Sequence, residues 1–252
     1  MGSDMNAPVP DDFIGWRAER TVFPLSGLDL RVMPGDHPLY LAEQEAIAEN
    51  WARETAANPA LFDGRMVFQR RLTLTDKGLA GEGHVIPFSA FMWWRKQSDR
   101  RGGIHLFAYP VLETSDGALV AIRMGAHTAN PGQVYFAAGS LEPEDVVDGR
   151  CDLEANMRRE VLEETGLDLK AARAGDRYFA SRIGRTVVVL RLFRFDMTAD
   201  EVTERIHAHM LVAEDQEISG AVAIRSADHT AQPYNIAMLP VIDWYFGGER
   251  GA

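Results

Sequence analysis

Glu160, Glu163 and Glu164 stand at i, i+3 and i+4, and of all the acids in this chain they are the set whose spacing could do chemistry. On a helix turning about 100° per residue, Glu163 and Glu164 fall roughly 60° to one side and 40° to the other of Glu160, so the three share one arc. Like charges so placed repel, by roughly a few tenths of a kcal/mol per exposed pair and by more beside apolar groups. Arg159 can pair with Glu163 at i+4, yet one guanidinium leaves most of that charge uncompensated. A divalent cation would neutralise the rest. Carboxylate oxygens are hard donors that suit Mg²⁺ or Mn²⁺, and Mg²⁺ held in this way keeps waters and binds phosphates as well. The chemistry that follows is phosphoryl or diphosphate hydrolysis. For an isolated EXXEE, a solvated acidic helix face would be the better reading.

The element that must position these acids is written around them. Asp152 can cap the first free N–H groups of a helix, Glu154 puts an anion in its first turn, and Gly166 suits the left-handed position that ends it. Leu153, Met157 and Val161 repeat every four residues and supply an apolar stripe for the core.

The run Arg159-Glu160-Val161-Leu162-Glu163-Glu164-Thr165-Gly166-Leu167, preceded by Gly139, resembles the box of the Nudix hydrolases. The family pattern is Gly, five residues, Glu, seven residues, then Arg-Glu-apolar-x-Glu-Glu-x-Gly-apolar, and its second half matches position for position. The first half departs. Five residues after Gly139 comes Asp145 instead of Glu, thirteen residues separate it from Arg159, and Ala137-Ala138 replaces the usual Pro-Gly. The loop is lengthened around Val147 to Asp152, which leaves the helical acids in register.

Length and composition bound the rest. At 252 residues the chain exceeds the ~150 of an average domain, so an enlarged domain or a core with an extension is expected. Its 46% hydrophobic and 25% charged content is ordinary for a soluble protein, and the opening MGSDMNAPVP lacks a secretory layout. A cytoplasmic protein with no membrane span is expected. The net charge of −11 argues against nucleic-acid binding. Cys151 is the one cysteine; it excludes an intramolecular disulfide or a thiolate cluster and reads as incidental.

In chain order, 1–10 is expected to be a disordered tail and 11–102 an amino-terminal extension. Asp11 to Val32 reads as irregular or strand, and Leu39 to Ala57 as a helix after Pro38. Met66 to Leu74 reads as a strand with Phe68, Leu72 and Leu74 on one side, and the Gly-rich Asp76 to Gly83 as a loop. Trp93 and Trp94, followed by Arg95, Lys96, Arg100 and Arg101, fit a core edge with a solvated basic turn or a grip on a base or phosphate. From 103 to 247 come strands at Ile104–Leu112, Ala118–Arg123 and Gln133–Ala137 and then the box helix. They are followed by strands at Tyr178–Ile183 and Thr186–Phe195, a capped helix Thr198–Met210, a strand Ile218–Ile224 and a closing helix Pro233–Phe246. His207 and His209, two apart on a helix, face away from each other and read as surface residues.

The resemblance implies an α/β fold: a Nudix α/β/α sandwich with a mixed sheet over 103–247, plus an amino-terminal α+β extension. It implies Mg²⁺ or Mn²⁺ held by Glu160, Glu163, Glu164 and the Ala138 carbonyl. Arg159 would orient the acids, and Glu217, or after it Glu214, would activate water. Leu119-Val-Ala-Ile-Arg123 with Gly132-Gln-Val-Tyr-Phe136 is similar to the motif upstream of the box in coenzyme A pyrophosphatases, which makes Arg123 and Phe136 substrate-binding candidates. Ile47 to Gly64 is similar to the extension of Nudix proteins acting on UDP-sugars, whose box loop is also enlarged. The implied partner is a small-molecule nucleoside diphosphate derivative, UDP-sugar-like before CoA-like. Self-association as a homodimer stays open. The alternative is a Nudix-fold module that binds a nucleotide without cleaving it.

Overall fold

The computed structural model describes residues 12–213 and 217–248, so the tail expected at 1–10 and the candidate Glu214 lie outside the described residues. The amino-terminal elements are β1 (Phe13–Ile14), β2 (Phe23–Leu25), β3 (Leu28–Val32), α1 (Pro38–Ala42), α2 (Gln44–Ala57), β4 (Arg65–Thr75), β5 (Gly78–Pro87) and α3 (Phe88–Trp94). After these come β6 (His105–Glu113), β7 (Leu119–Met124), β8 (Val134–Tyr135), β9 (Val146–Val147), β10 (Arg150–Cys151) and α4 (Leu153–Thr165). The chain then forms β11 (Arg173–Ala174), β12 (Tyr178–Ile183), β13 (Thr186–Arg194), α5 (Ala199–Met210), β14 (Ile218–Ile224) and α6 (Leu239–Phe246).

The strands form two mixed sheets. The larger runs β14-β7-β6-β13-β12-β2, with β8 added beside β7 and β11 beside β13. Its centre is the parallel pair β6 and β13, whose uninterrupted apolar runs suit strands covered on both faces. Side chains alternate across the sheet, and this puts helices on both sides. Tyr178 and Arg191 face α4, where Arg191 Nη1 meets Glu154 at 2.7 Å. Phe179, one residue on, stacks with Trp244 of α6 at 4.7 Å on the other side. The expected α/β class with helices over a mixed sheet is what is observed.

The second sheet runs β1-β4-β5-β3-β10-β9 and joins residues far apart in the chain. Arg150 of β10 pairs with Arg31 of β3, so the lengthened box loop is a hairpin added to the amino-terminal sheet. In the other direction, β2 supplies an edge strand to the larger sheet by pairing with β12. The sheets also meet where Ile104 N donates to Gln69 O at 2.7 Å.

Several expectations need correction. Residues 78–83 are strand, antiparallel to β4, and no loop. Glycine is required there by close packing: a Cβ on Gly81 would come within 2.7 Å of the Leu30 side chain, and one on Gly83 within 2.9 Å of the Gln69 amide. Phe68 and Leu72 do not share a side. The register shifts between Gln69 and Arg71, and one extra residue reverses the alternation. Val67 and Leu72 therefore enter the main core, while Met66 and Phe68 enter a second cluster with Ile47, Ile86, Phe91 and Trp94. The single helix expected at 39–57 breaks at Glu43, whose φ of −120° is not helical. The closing helix is regular only over α6, after a tighter turn at Ile236–Met238.

Among the described residues, no helix is long and apolar enough to cross a membrane.

Candidate functional site

Helix α4 starts and stops as its sequence dictates. The Asp152 carboxylate accepts the Ala155 N–H at 3.0 Å, and Gly166, at φ 70°, closes the last turn by donating to Leu162 O. Leu153, Met157 and Val161 are buried against the sheet. That anchoring fixes the helix rotation and so the direction of the acids. Beside the stripe, Asn156 and Glu160 are buried and Glu163 is exposed.

Asp145 sits in a tight turn, Pro143–Asp145, and is buried. Its carboxylate accepts from Glu142 N at 2.9 Å, Asn156 Nδ2 at 2.9 Å and Arg159 Nη2 at 2.9 Å. Arg159 in turn reaches Glu160 at 2.8 Å and Glu163 at 3.1 Å through Nη1. With its lone pairs so engaged, Asp145 orients Arg159 and the helix, and it is not placed as a free ligand. Asn156 fixes the turn to α4 because the same amide also donates to Ser140 O at 3.1 Å.

Gly139 lies directly over Glu160. A Cβ there would fall 2.4 Å from both carboxylate oxygens, so only glycine lets that carboxylate lie against the backbone. Burial pushes the Glu160 carboxyl up to about 8 against the pull of Arg159, with Glu163 and Glu142 adding to the rise. Glu164 is raised well above the carboxylate range, again by burial first and then by the charges of Glu160 and Glu217. The Ala138 backbone N–H bonds its carboxylate, while Oε2 is buried with no hydrogen-bond partner. The loop at Ala138 and Gly139 and one turn of α4 thus enclose two carboxyls that are costly to ionise without a counter-charge.

Glu217 stands just before β14. It is exposed, its carbonyl accepts Gly125 N at 2.7 Å, and its charge acts on both Glu164 and Tyr135. Arg123 is occupied elsewhere: it donates to Gly132 O and to the Gln232 side chain, which ties the loop before β8 to the loop before α6. Phe136 must be corrected as a substrate contact. It is fully buried and packs edge-on against Tyr109 at 5.3 Å, so it is a core side chain.

Sequence reasoning did not single out Asn156 or Tyr135. The only trace of Asn156 was its position one turn before Glu160. Tyr135 lies between two apolar neighbours, and nothing in that run marks it out from core. His209 does have a role, since its Nε2 is 3.0 Å from Glu163 O and its ring fills the space over Gly166.

The donors fit a hard dication that takes part of its coordination shell from water and substrate. Glu164 Oε2 is an orphaned buried acceptor, and carboxylate with backbone carbonyl is the oxygen set such an ion uses. Among the described residues no group of three or more His, Cys, Asp or Glu side chains stands together so as to hold a metal ion; Glu163 is turned out to solvent and to Arg159, apart from Glu160 and Glu164. A separate cleft of about 280 Å³ at the start of α4, lined by Leu28, Cys151, Leu153 and Tyr178, does not include the acids. Burial holds the Cys151 thiol up to about 12, which leaves it inert.

No family model matches the chain, and no curated protein does. Solved structures similar to it include DR0079 from Deinococcus radiodurans, at 16% identity over 56% of this chain and 83% of that one, with a TM-score of 0.41. A MutT protein from Methanosarcina mazei Go1 is 15% identical over 58% of this chain and 96% of its own, with a TM-score of 0.39. The E. coli ORF135 protein is 16% identical over 59% and 96%, with a TM-score of 0.37. The resemblance of this chain to the Nudix hydrolases is carried by its sequence, at Gly139 and Arg159 to Leu167.

Proposed function

We propose that the chain is a metal-dependent pyrophosphohydrolase of Nudix type. Its substrate would be a nucleoside diphosphate linked to a second moiety, UDP-sugar-like before CoA-like. The observation that carries this reading is a pair of carboxyls, that of buried Glu160 lying against Gly139 and that of half-buried Glu164 bonded by the Ala138 N–H, with Glu164 Oε2 buried and without a partner. A protein gains nothing in stability from such a group, and a ligand that needs it is the economical explanation.

In this reading Glu160, Glu163, Glu164 and the Ala138 carbonyl hold Mg²⁺ or Mn²⁺. The ion, when bound, polarises phosphoryl oxygens and makes a ligated water more acidic. Arg159, held by Asp145, keeps Glu160 and Glu163 in place. Glu217, exposed and near enough for its charge to act on Glu164, would accept the proton of the attacking water. Burial around Glu164 lowers the local dielectric and strengthens each of these interactions.

The test is hydrolysis of UDP-glucose, ADP-ribose, NADH, CoA and diadenosine polyphosphates with Mg²⁺ or Mn²⁺, with products identified by mass. Turnover of one of them supports the reading. The second reading, a module that binds a nucleotide without cleaving it, is favoured by the lack of a closed ligand set among the described residues. Metal-dependent thermal stabilisation with no turnover of any substrate would decide for it.

A further inference from the structure

We propose that Arg95, from the amino-terminal region, is a binding residue for a substrate oxyanion, beside the loop that leads through Tyr135 to the acid cluster. The proposal rests on the reading of that cluster as a diphosphate site and extends it to a residue on a different part of the fold.

Arg95 follows α3 and is half-buried, yet among the described residues it forms no ion pair. Its Nη2 donates to Asn130 Oδ1 at 2.9 Å, and its guanidinium lies 5.7 Å from the centre of the Phe91 ring. Neither partner carries charge. Burial, and after it the nearby charge of Arg100, make the charged form of Arg95 less favourable, and no carboxylate offsets this. Arg100 is itself fixed, with its carbonyl bonded by Trp94 Nε1 at 2.8 Å and its guanidinium 6.0 Å from the centre of the Trp94 ring. His105, whose ring lies 4.4 Å from that of Phe91, is kept neutral by burial of its imidazole and by both arginines. Two cations and a neutral imidazole thus share the corner, and a desolvated guanidinium with no counter-ion calls for an anion from outside.

Its position says which anion. The loop that carries Asn130 also bonds the Glu217 carbonyl through Gly125 N at 2.7 Å and runs into β8 and on to Ala138, so Arg95 reaches through Asn130 the segment that borders the acids. Tyr135 on that segment feels the charges of Glu164, Glu217 and Arg95 alike. The loop carrying Asn130 is clamped to the amino-terminal helices at two points, by Arg95 and by Asn58 Nδ2 donating to His127 O at 3.0 Å. The extension therefore holds this wall of the site and adds a positive charge that the box lacks. A phosphate oxygen of the diphosphate, or an acidic group just beyond it, matches the planar fork of Arg95.

The experiment measures binding of α,β-methylene ADP in Mg²⁺ by calorimetry for the wild type, Arg95→Gln, Arg95→Lys and Glu164→Gln. Thermal midpoints are recorded for each, and steady-state kinetics on the best substrate of the panel above. Arg95→Gln should weaken the probe at least tenfold, raise KM more than it lowers kcat and leave the thermal midpoint unchanged, and Arg95→Lys should recover part of the loss. Equal binding by wild type and Arg95→Gln overturns the proposal, as does failure of the wild type to bind. Loss with Arg95→Gln but not with Glu164→Gln would uphold Arg95 as the anion site and overturn the acid cluster as the metal site. The reverse pattern would overturn only Arg95.

Discussion

The Arg159 guanidinium donates to the Asp145 carboxylate at 2.9 Å and reaches Glu160 with its other terminal nitrogen at 2.8 Å. Asp145, at the place where the family pattern has its first glutamate, is thereby a holder of the arginine and not a ligand. Asp145→Ala would remove one acceptor each from Arg159, Asn156 Nδ2 and Glu142 N. Removing one partner of a largely buried pair should cost about 3 kcal/mol, read as a lower urea midpoint with an unchanged slope. Turnover should fall with it, and a variant as stable as the wild type would contradict the assigned role.

Gly139→Ala tests how tightly the loop after β8 is fitted to Glu160. The added methyl would displace a carboxylate whose oxygens lie 2.4 Å from the Cβ position. Misplacement of that size should lower kcat on the order of 10²-fold with the circular dichroism of the fold retained. Full activity would mean that Glu160 does not need its present place.

Glu164→Gln separates stability from activity. Replacing a buried carboxyl that has an orphaned oxygen should leave the metal-free protein as stable as the wild type, or more stable by ~1 kcal/mol. Turnover should drop by about 10²-fold or more, because a ligand for the ion is lost. Loss of stability without loss of activity would invert the argument and make the residue structural.

His37 should give the amino-terminal half an acid limit. It is fully buried, edge-on to His84 at 5.4 Å, and burial together with His84 holds its imidazole down at about 4. The unfolded chain takes up this proton near pH 6.5, and the folded chain only near 4. The stability it confers is therefore complete above pH 6.5 and is lost as the pH falls toward 4, on the order of 3 kcal/mol at most. His37→Asn keeps an acceptor for Leu39 N and removes the titration. Chemical denaturation between pH 7 and 4 should show a shallower decline for it, and an identical decline would assign the effect to other groups.

Residue types announced the box helix because its signals are local: Asp152 caps it, Gly166 ends it, and a four-residue repeat orients it. Strands β6, β7, β12 and β13 were legible for the same reason. What failed depends on partners distant in sequence. Gly81 and Gly83 read as loop because nothing nearby reveals that Leu30 and Gln69 occupy the space over them. The reversal of sides in β4 comes from one extra residue opposite β5, which alternation alone cannot show. In the site, the acids were legible from spacing, whereas Phe136 was misplaced because a short apolar strand does not say which of its faces is covered.

The pairing of Arg150 with Arg31 makes the six added residues a brace and not slack. Cutting the box back to ordinary length would unzip an edge of the smaller sheet, and a fragment beginning at Gly103 would leave the backbone of β12 unsatisfied where Phe23 to Leu25 now lie. Each half of the chain finishes the other's architecture. Trimming, permuting or grafting the part that carries the acid cluster should therefore succeed only where both seams are carried along.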